Sequence, residues 1–271
     1  MAVELSIIIL TWNSEHLLRR SLSSIQENTT LNDYEIIIID NNSIDGTREF
    51  LKSIDSKDSY QIILNSQNRG VAPARNQGIG IAKGEYVLIL DVDTIVTPGA
   101  IEKLVNYLGR NLKCGLVAPK LTDAGGDLQF TCRKFPTIWS KLLRRVPFNW
   151  AQELLSEEEM HDWDHACIKE VDYVIGACQL IRRSVVEKVG LLDENIFYGP
   201  EDIDFCLRIW QAGYKVVYNP EAIIIHDEQR ITKRKLISRI SWEHTKGLVY
   251  FFWKHKYLLS RKSLYGSIPK Q

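Results

Sequence analysis

Apolar runs and amphipathic runs alternate through the N-terminal part of the chain. Leu5–Leu10 (LSIIIL) is apolar and β-branched, the pattern of a strand buried on both faces. Ser14–Glu27 carries apolar residues at 17, 18, 22 and 25, a helical spacing, with Ser14 placed as its N-cap. Tyr34–Ile39 (YEIIII) repeats the strand pattern and ends at Asp40. Asp45-Gly46-Thr47 reads as a turn into a helix reaching about Lys52, and Gln61–Leu64 as a short strand. Val71–Ala82 reads as a helix closed by Gly84. Glu85–Leu90 (EYVLIL) is a strand ending at Asp91, and Pro98–Leu108 a further helix. This βαβαβαβ order predicts a parallel sheet with helices on both faces.

Regularity is lost from about Thr122 to Lys169, where Gly125-Gly126, Pro136, Pro147 and the acidic run Glu157-Glu158-Glu159 suggest loops and short helices. It resumes at Val171–Ile181, followed by a helix near Ser184–Val189 and an amphipathic helix over Pro200–Gly213. Lys215–Tyr218 and Ala222–Ile225 read as two short strands, and the chain from Ile231 onward as basic helices.

Composition narrows the classes. The chain has 271 residues, 45% hydrophobic and 25% charged. Such a chain can bury a core, so disorder is excluded as its main character. No apolar run approaches the roughly 18 residues that a membrane span needs. Five cysteines stand at 114, 132, 167, 178 and 206 with no C-x-x-C pair, which fits a reducing compartment. Met-Ala-Val-Glu-Leu-Ser has neither a basic leader nor a cleavable apolar segment, so a cytoplasmic protein is expected. The net charge is zero but unevenly spread. Residues 228–271 hold eleven Lys/Arg against two acids, +9, which leaves −9 on residues 1–227. Nothing beyond that tail favours nucleic acid as a partner.

Four polar clusters follow apolar strands: Thr11-Trp12-Asn13, Asp40-Asn41-Asn42-Ser43, Asp91-Val92-Asp93 and His226. Ligands of doubly wound sheets bind at the carboxyl ends of strands, so together the four point to one rim. Polar residues there are ordinarily turn formers, and D-x-D alone is a weak pattern. Its position directly after EYVLIL sharpens it, because two such carboxylates can share a hard cation and a diphosphate. A lone histidine is usually a surface or core residue; His226 gains meaning by completing a site with Asp93. Glu201-Asp202-x-Asp204 opens a helix, where acids are favoured by the dipole in any case. The same dipole is expected to keep a carboxylate ionised and able to accept a hydroxyl proton. Helical spacing places Asp202 with Phe205 on one face, and Glu201 with Asp204 on another. The dinucleotide G-x-G-x-x-G, the P-loop and G-x-S-x-G are all missing from the strand ends, which argues against those three enzyme classes.

SIIILTWN, IIIIDNNSIDGT and NRGVAPARNQGIGIAKGEYVLILDVDT resemble the nucleotide-sugar half of family 2 glycosyltransferases. VGLLDENIFYGPEDIDFCLRIWQAGYKVVYNPEAIIIH is similar to their acceptor half. The resemblance implies a GT-A fold, a Rossmann-like mostly parallel sheet with helices on both faces, over residues 1–227. The nucleotide-sugar half would span about residues 1–120 and the acceptor half about 121–227, with 228–271 as a basic, aromatic helical tail. It also implies inversion at the anomeric carbon, a nucleoside-diphosphate sugar as donor, and Mn²⁺ or Mg²⁺ as cofactor.

By position, Thr11, Asn13 and Asn42 would line the nucleotide pocket, and Asp40 would bond the pyrimidine ring. Arg75 would reach the diphosphate or order the loop beside it, and Gly176 and Ala177 would form a backbone wall by the sugar. Asp91 would lie by the ribose and metal, with Asp93 and His226 as direct metal ligands. Asp202 would be the base and Glu201 would hold acceptor or donor sugar. Asp-Asn-Asn-Ser replaces the more usual Asp-Asp-Gly-Ser, a form resembling the rhamnosyl- and galactofuranosyltransferase branch, and tilts the donor toward dTDP-rhamnose over a UDP-sugar. Arg230-Ile231-Thr232 stands where a phosphate loop often follows the histidine.

The acceptor implied is a glycan or polyprenyl-linked hydroxyl in surface polysaccharide synthesis. In such a reaction a divalent ion neutralises the leaving diphosphate while the acceptor attacks from the opposite face. Two other readings compete. A sugar nucleotidyltransferase would need a Gly-rich, Lys-bearing loop after the first strand, and TWNSEHLLRR offers none. A non-catalytic nucleotide- or sugar-binding module would not need Asp91, Asp93, Asp202 and His226 together. The tail mixes lysines with Tyr250, Phe251, Phe252 and Trp253. It would lie on the inner face of the plasma membrane near a lipid-linked acceptor, or pack on the body or on a second copy in a homodimer.

Overall fold

The computed structural model describes residues 3–54, 60–143, 149–227, 239–257 and 259–269. The strands are β1 (Leu5–Thr11), β2 (Tyr34–Asp40), β3 (Tyr60–Leu64), β4 (Tyr86–Asp91), β5 (Thr94–Val96), β6 (Cys114–Thr122), β7 (Leu128–Gln129), β8 (Cys132–Arg133), β9 (Lys169–Glu170), β10 (Tyr173–Val174), β11 (Cys178–Arg182) and β12 (Lys215–His226). The helices are α1 (Glu15–Asn28), α2 (Thr47–Ile54), α3 (Val71–Ile81), α4 (Ala100–Arg110), α5 (Ile138–Leu143), α6 (Asn149–Glu158), α7 (Arg183–Val189), α8 (Glu201–Gln211), α9 (Arg239–His255) and α10 (Arg261–Tyr265).

The main sheet runs β3-β2-β1-β4-β11-β6-β12-β5. β1 to β4 are mutually parallel, as their apolar runs and helical crossovers predict. β11 is antiparallel to both neighbours, and β6 pairs with β12 in parallel. Period-2 alternation divides the core between two faces. Ile8, Ile37, Ile39, Val87 and Ile89 pack toward α3 and α8, while Leu5, Ile7, Ile9, Leu88 and Leu90 pack toward α1 and α4.

Several local expectations change. β6 was not expected, because Gly115 and Pro119 interrupt its apolar run. Gly115 is required there: a Cβ would stand 2.8 Å from Cβ of Tyr214. The two strands expected after residue 214 are one, β12, with an irregularity between Asn219 and Ile223 around Pro220. Ser14 precedes α1, but its hydroxyl donates to Trp12 O rather than capping; Asp45 accepts the Glu15 amide instead. Gly84 does not close α3, which ends at Ile81 with Ala82 as its C-cap. A Cβ on Gly84 would meet the Ser6 nitrogen at 2.5 Å, so the glycine serves the approach of backbone to β1.

The tail is laid against the body. Phe251, Phe252, Tyr257 and Leu264 are buried in the same core cluster as Phe205 and Leu207 of α8. Gly247 of α9 sits on Pro200, with 2.9 Å between its missing Cβ and the proline Cδ. Residues 230–232 lie outside the described residues, as does the start of the expected tail helices. Among the described residues no helix is long and apolar enough to cross a membrane.

Candidate active site

Strand register builds the rim. Thr11 pairs with Asp40 across β1 and β2, and Leu10 pairs with Asp91 across β1 and β4. The carboxyl ends of three neighbouring strands therefore present Thr11, Asp40 and Asp91 in one row. β12 brings the fourth cluster back: His226 pairs with Thr94 of β5, and the Asp227 amide donates to Asp93 O at 2.8 Å. Asp91, Asp93 and His226 each offer a ligand atom within 4.8 Å of the others. His226 Nε2 lies 3.4 Å from Asp93 Oδ1.

Two carboxylates and an imidazole suit Mn²⁺ or Mg²⁺, with the nitrogen favouring Mn²⁺. The local electrostatics fit a cation. The Asp91 carboxyl is pushed up from its ordinary value, first by desolvation; Arg75 pulls it down and the Asp93 charge pushes it up again.

Arg75 is the hub of the second half of the site. Its side chain is nearly buried. One guanidinium nitrogen donates to Asp91 Oδ1 at 2.5 Å and to Gly176 O at 3.1 Å, and the other lies 3.6 Å from Glu201 Oε1. Gly176 in turn donates its amide to Asp202 Oδ2 at 3.1 Å. A Cβ at Gly176 would stand 2.9 Å from the guanidinium, so a side chain there would displace Arg75. Arg75, Asp91, Gly176, Glu201 and Asp202 are thus joined, although they come from α3, β4, the β10–β11 connection and α8.

Two of the three acids in the first turn of α8, Glu201 and Asp202, are raised by burial. Burial outweighs the helix N-terminus: the Asp202 carboxyl is pushed up to about 6, against its bond from the Ile203 amide and the charge of Arg75. Glu201 is pushed up to about 7 by burial and by the neighbouring Asp202. Glu201 folds back to accept the Gly199 amide at 2.8 Å, with its other oxygen 3.6 Å from Arg75. Asp204 does not accompany Glu201; it faces the tail, bonded to Lys254 and His255. Glu201 and Asp202 are drawn to backbone amides, while Asp204 is drawn to the side chains of Arg208, Lys254 and His255.

The nucleotide-side residues also part ways. Asp40 has no exposed side-chain surface; it pairs with Arg48 Nε at 2.7 Å and accepts the Ser43 amide. Its carboxylate thereby ties the end of β2 to the loop at Ser43 and to Arg48 of α2. Asn13 and Asn42 both have positive φ, 50° and 69°, a conformation asparagine tolerates. Asn13 Oδ1 accepts the Ile44 amide at 2.7 Å, and its own amide donates to Ser43 Oγ at 2.8 Å, so the first two clusters are cross-linked. Thr11 is buried, and its hydroxyl has no bonding partner among the described residues. Ala177 is buried, and its carbonyl accepts the Asp91 amide at 2.8 Å.

Asn41 belongs to the Asp40 cluster but has no role assigned from the sequence, and Tyr198 and Gln129 escape the pattern altogether. Asn41 accepts the Arg69 amide at 3.0 Å and donates to Gly70 O at 3.1 Å, gluing the β2 rim to the loop before α3. This gives the Asn-Asn form of the cluster a structural purpose. Tyr198 lies close enough to Glu201, Asp91 and Asp202 to feel their charges; with burial leading, its hydroxyl is pushed up to about 12. Gln129 bonds His226 at two points. The glutamine sits in the irregular stretch where the pattern carried no signal.

The signature described as Glycosyl transferase family 2 matches residues 6–190. The chain belongs to glycosyltransferase family 2. The glycosyltransferase is 34% identical over 266 residues to an uncharacterised glycosyltransferase of Methanocaldococcus jannaschii, spanning 92% of this chain and 83% of that one. It is 25% identical over 264 residues to an N-acetylglucosaminyl-diphospho-decaprenol L-rhamnosyltransferase of Mycobacterium tuberculosis, spanning 93% and 85%. Among solved structures it is similar to the mannosyltransferase PcManGT from Pyrobaculum calidifontis in complex with GDP-Man and Mn²⁺. That similarity has a TM-score of 0.63 at 20% identity, over 93% of this chain and 63% of that chain. At that identity the likeness is one of fold, and the fold of this glycosyltransferase is of the GT-A type.

Proposed function

We propose that this glycosyltransferase moves a sugar, with inversion, from a nucleoside-diphosphate donor to a hydroxyl of a glycan or polyprenyl-linked acceptor. The work it serves is surface polysaccharide synthesis. The single observation that carries the reading is the Arg75 bridge, which holds Asp91 of the D-x-D strand and the Glu201–Asp202 pair on one rim. Donor-phosphate and acceptor chemistry then meet at one place. The rhamnosyltransferase from Mycobacterium tuberculosis supports dTDP-rhamnose ahead of a UDP-sugar, and a lipid-linked acceptor.

Asp202 is the base in this reading. An oxygen of its carboxylate takes the acceptor proton while the Gly176 and Ile203 amides hold the group in place. A value raised to about 6 makes it a better proton acceptor than an ordinary aspartate, yet leaves it mostly ionised at neutral pH. Glu201 protonates more readily and can donate to a sugar hydroxyl. Asp91, Asp93 and His226 would hold Mn²⁺ or Mg²⁺, which supplies positive charge for the diphosphate as it leaves. Thr11, Asn13 and Asn42 would form the nucleotide wall, with Asp40 acting through Ser43 and Arg48.

The tail favours an anionic lipid surface as its partner. Trp242, Val249 and Trp253 are all exposed. Their spacing puts them on one stripe of α9, and Lys246 Nζ lies 5.6 Å over the Trp242 ring. That stripe belongs to a segment of charge +9, complementary to anionic headgroups.

A thermal-shift panel of UDP, dTDP, GDP and CDP, each with Mn²⁺ or with EDTA, tests the donor site. A ligand at a hundredfold its Kd adds about 2.7 kcal/mol. One nucleotide stabilising only with metal, and not in Asp93→Ala, is the expected result. Metal-independent binding without sugar transfer would favour the binding-module reading.

A further inference from the structure

We infer that Gln129 is a positioning residue that holds His226 in the tautomer able to ligate a cation. The inference rests on the reading of Asp91, Asp93 and His226 as a metal site. Gln129 Nε2 lies 2.8 Å from the His226 carbonyl oxygen. Gln129 Oε1 lies 2.8 Å from His226 Nδ1. The carbonyl oxygen can only accept, so the amide nitrogen of Gln129 must face it. That choice turns Oε1 toward the ring, and Oε1 too can only accept. Nδ1 must therefore carry a proton. In the neutral ring Nε2 is then the lone-pair nitrogen, and it faces Asp93 Oδ1 across 3.4 Å. Two acceptors facing each other repel in isolation; the arrangement is favourable with a cation between them.

The glutamine is itself held. A tight turn precedes it: Asp123 Oδ1 accepts the Gly125 and Asp127 amides, each at 2.9 Å, and Gly126 takes φ +88. β7 then pairs Gln129 with Leu121 of β6, the strand that also pairs with β12. The backbone of Gln129 is thus tied to β6, the strand against which the His226 end of β12 is also paired. One side chain fixes both the rotation of the imidazole and the nitrogen that keeps its proton.

The test uses the full chain with Gln129→Leu, which keeps bulk and removes both bonds, and Gln129→Glu, which keeps the acceptor toward Nδ1. Mn²⁺ affinity is measured by calorimetry or electron spin resonance with nucleoside diphosphate present. Ring ¹⁵N shifts of His226 are recorded without metal at a pH where the ring is neutral. The expected results are an affinity loss of about ten- to a hundredfold in the leucine variant, a smaller change in the glutamate variant, and a ring proton that leaves Nδ1 only in the leucine variant. Unchanged affinity in a folded leucine variant, or a wild-type ring protonated on Nε2, overturns the inference. Wild-type protein that binds no Mn²⁺ but shows the Gln129-dependent proton overturns the metal reading and leaves the positioning role standing.

Discussion

Lys254 Nζ lies 2.6 Å from Oδ1 of Asp204, a carboxylate with no exposed surface. His255 Nε2 approaches the same oxygen at 2.8 Å, and Arg208 Nε takes the other at 2.8 Å. Lys254 also reaches Asp193 at 2.7 Å, which ties α9 to the loop leading into the Glu201–Asp202 turn. Asp204→Ala leaves the tail's cations facing a buried void. It is expected to cost about 3–5 kcal/mol in denaturant unfolding, the range for breaking a buried pair from one side. A loss under about 1 kcal/mol would mean that the tail contributes little to the body.

Acid is expected to expose the same clasp. Burial alone would raise the Asp204 carboxyl, but the bonds from His255 and Lys254 and the charge of Arg208 hold it well below its ordinary value of 3.8. A depressed folded pKa contributes stability above the unfolded value, lost as pH falls through the folded one. Unfolding free energy followed from pH 5 downward should therefore fall in wild type, and fall less steeply in Asp204→Ala.

As the proposed base, Asp202 should set the pH dependence of turnover. With its carboxyl raised to about 6, kcat/KM should climb through that pH on the acid side as the base ionises. Asp202→Asn should lower kcat by roughly 10²–10⁴-fold while nucleotide affinity persists. Equal losses in donor affinity and kcat would assign Asp202 to binding instead.

The charge of Arg75 pulls the carboxyls of Asp202 and Glu201 down and so favours their ionised forms. Replacing it by Gln should move the acid limb of that profile to higher pH. Arg75→Lys should not restore the wild-type profile, because an ammonium cannot bridge Asp91, Gly176 O and Glu201 with a planar fork. An unshifted acid limb would separate Arg75 from the base.

Trp242→Ala with Trp253→Ala should weaken binding to vesicles of anionic phospholipid by about tenfold or more, from the loss of two indoles at the interface. Flotation or sedimentation reads this, and salt should weaken the wild-type interaction. Equal binding to neutral vesicles, or a homodimer that those two substitutions abolish, would assign the stripe to another partner.

Much of the N-terminal half was legible in the chain because its determinants are local. β-branched runs make buried strands, intervening amphipathic segments make crossovers, and a parallel sheet then aligns whatever follows each strand. Thr11, Asp40 and Asp91 fall in one row for that reason alone. The D-x-D strand, the α8 acids and the basic tail were also readable as patterns. The tertiary structure decided what those groups face. Asp40 is sealed by Arg48, which no spacing foretells. β6 was hidden by a glycine and a proline that only its neighbours justify. The pairing of β12 with β5 carries His226 to Asp93, and Gln129 arrives from a stretch with no periodicity. Burial against Arg75 sets the ionisation of Asp202 and Glu201, because desolvation and charge act through space and not along the chain.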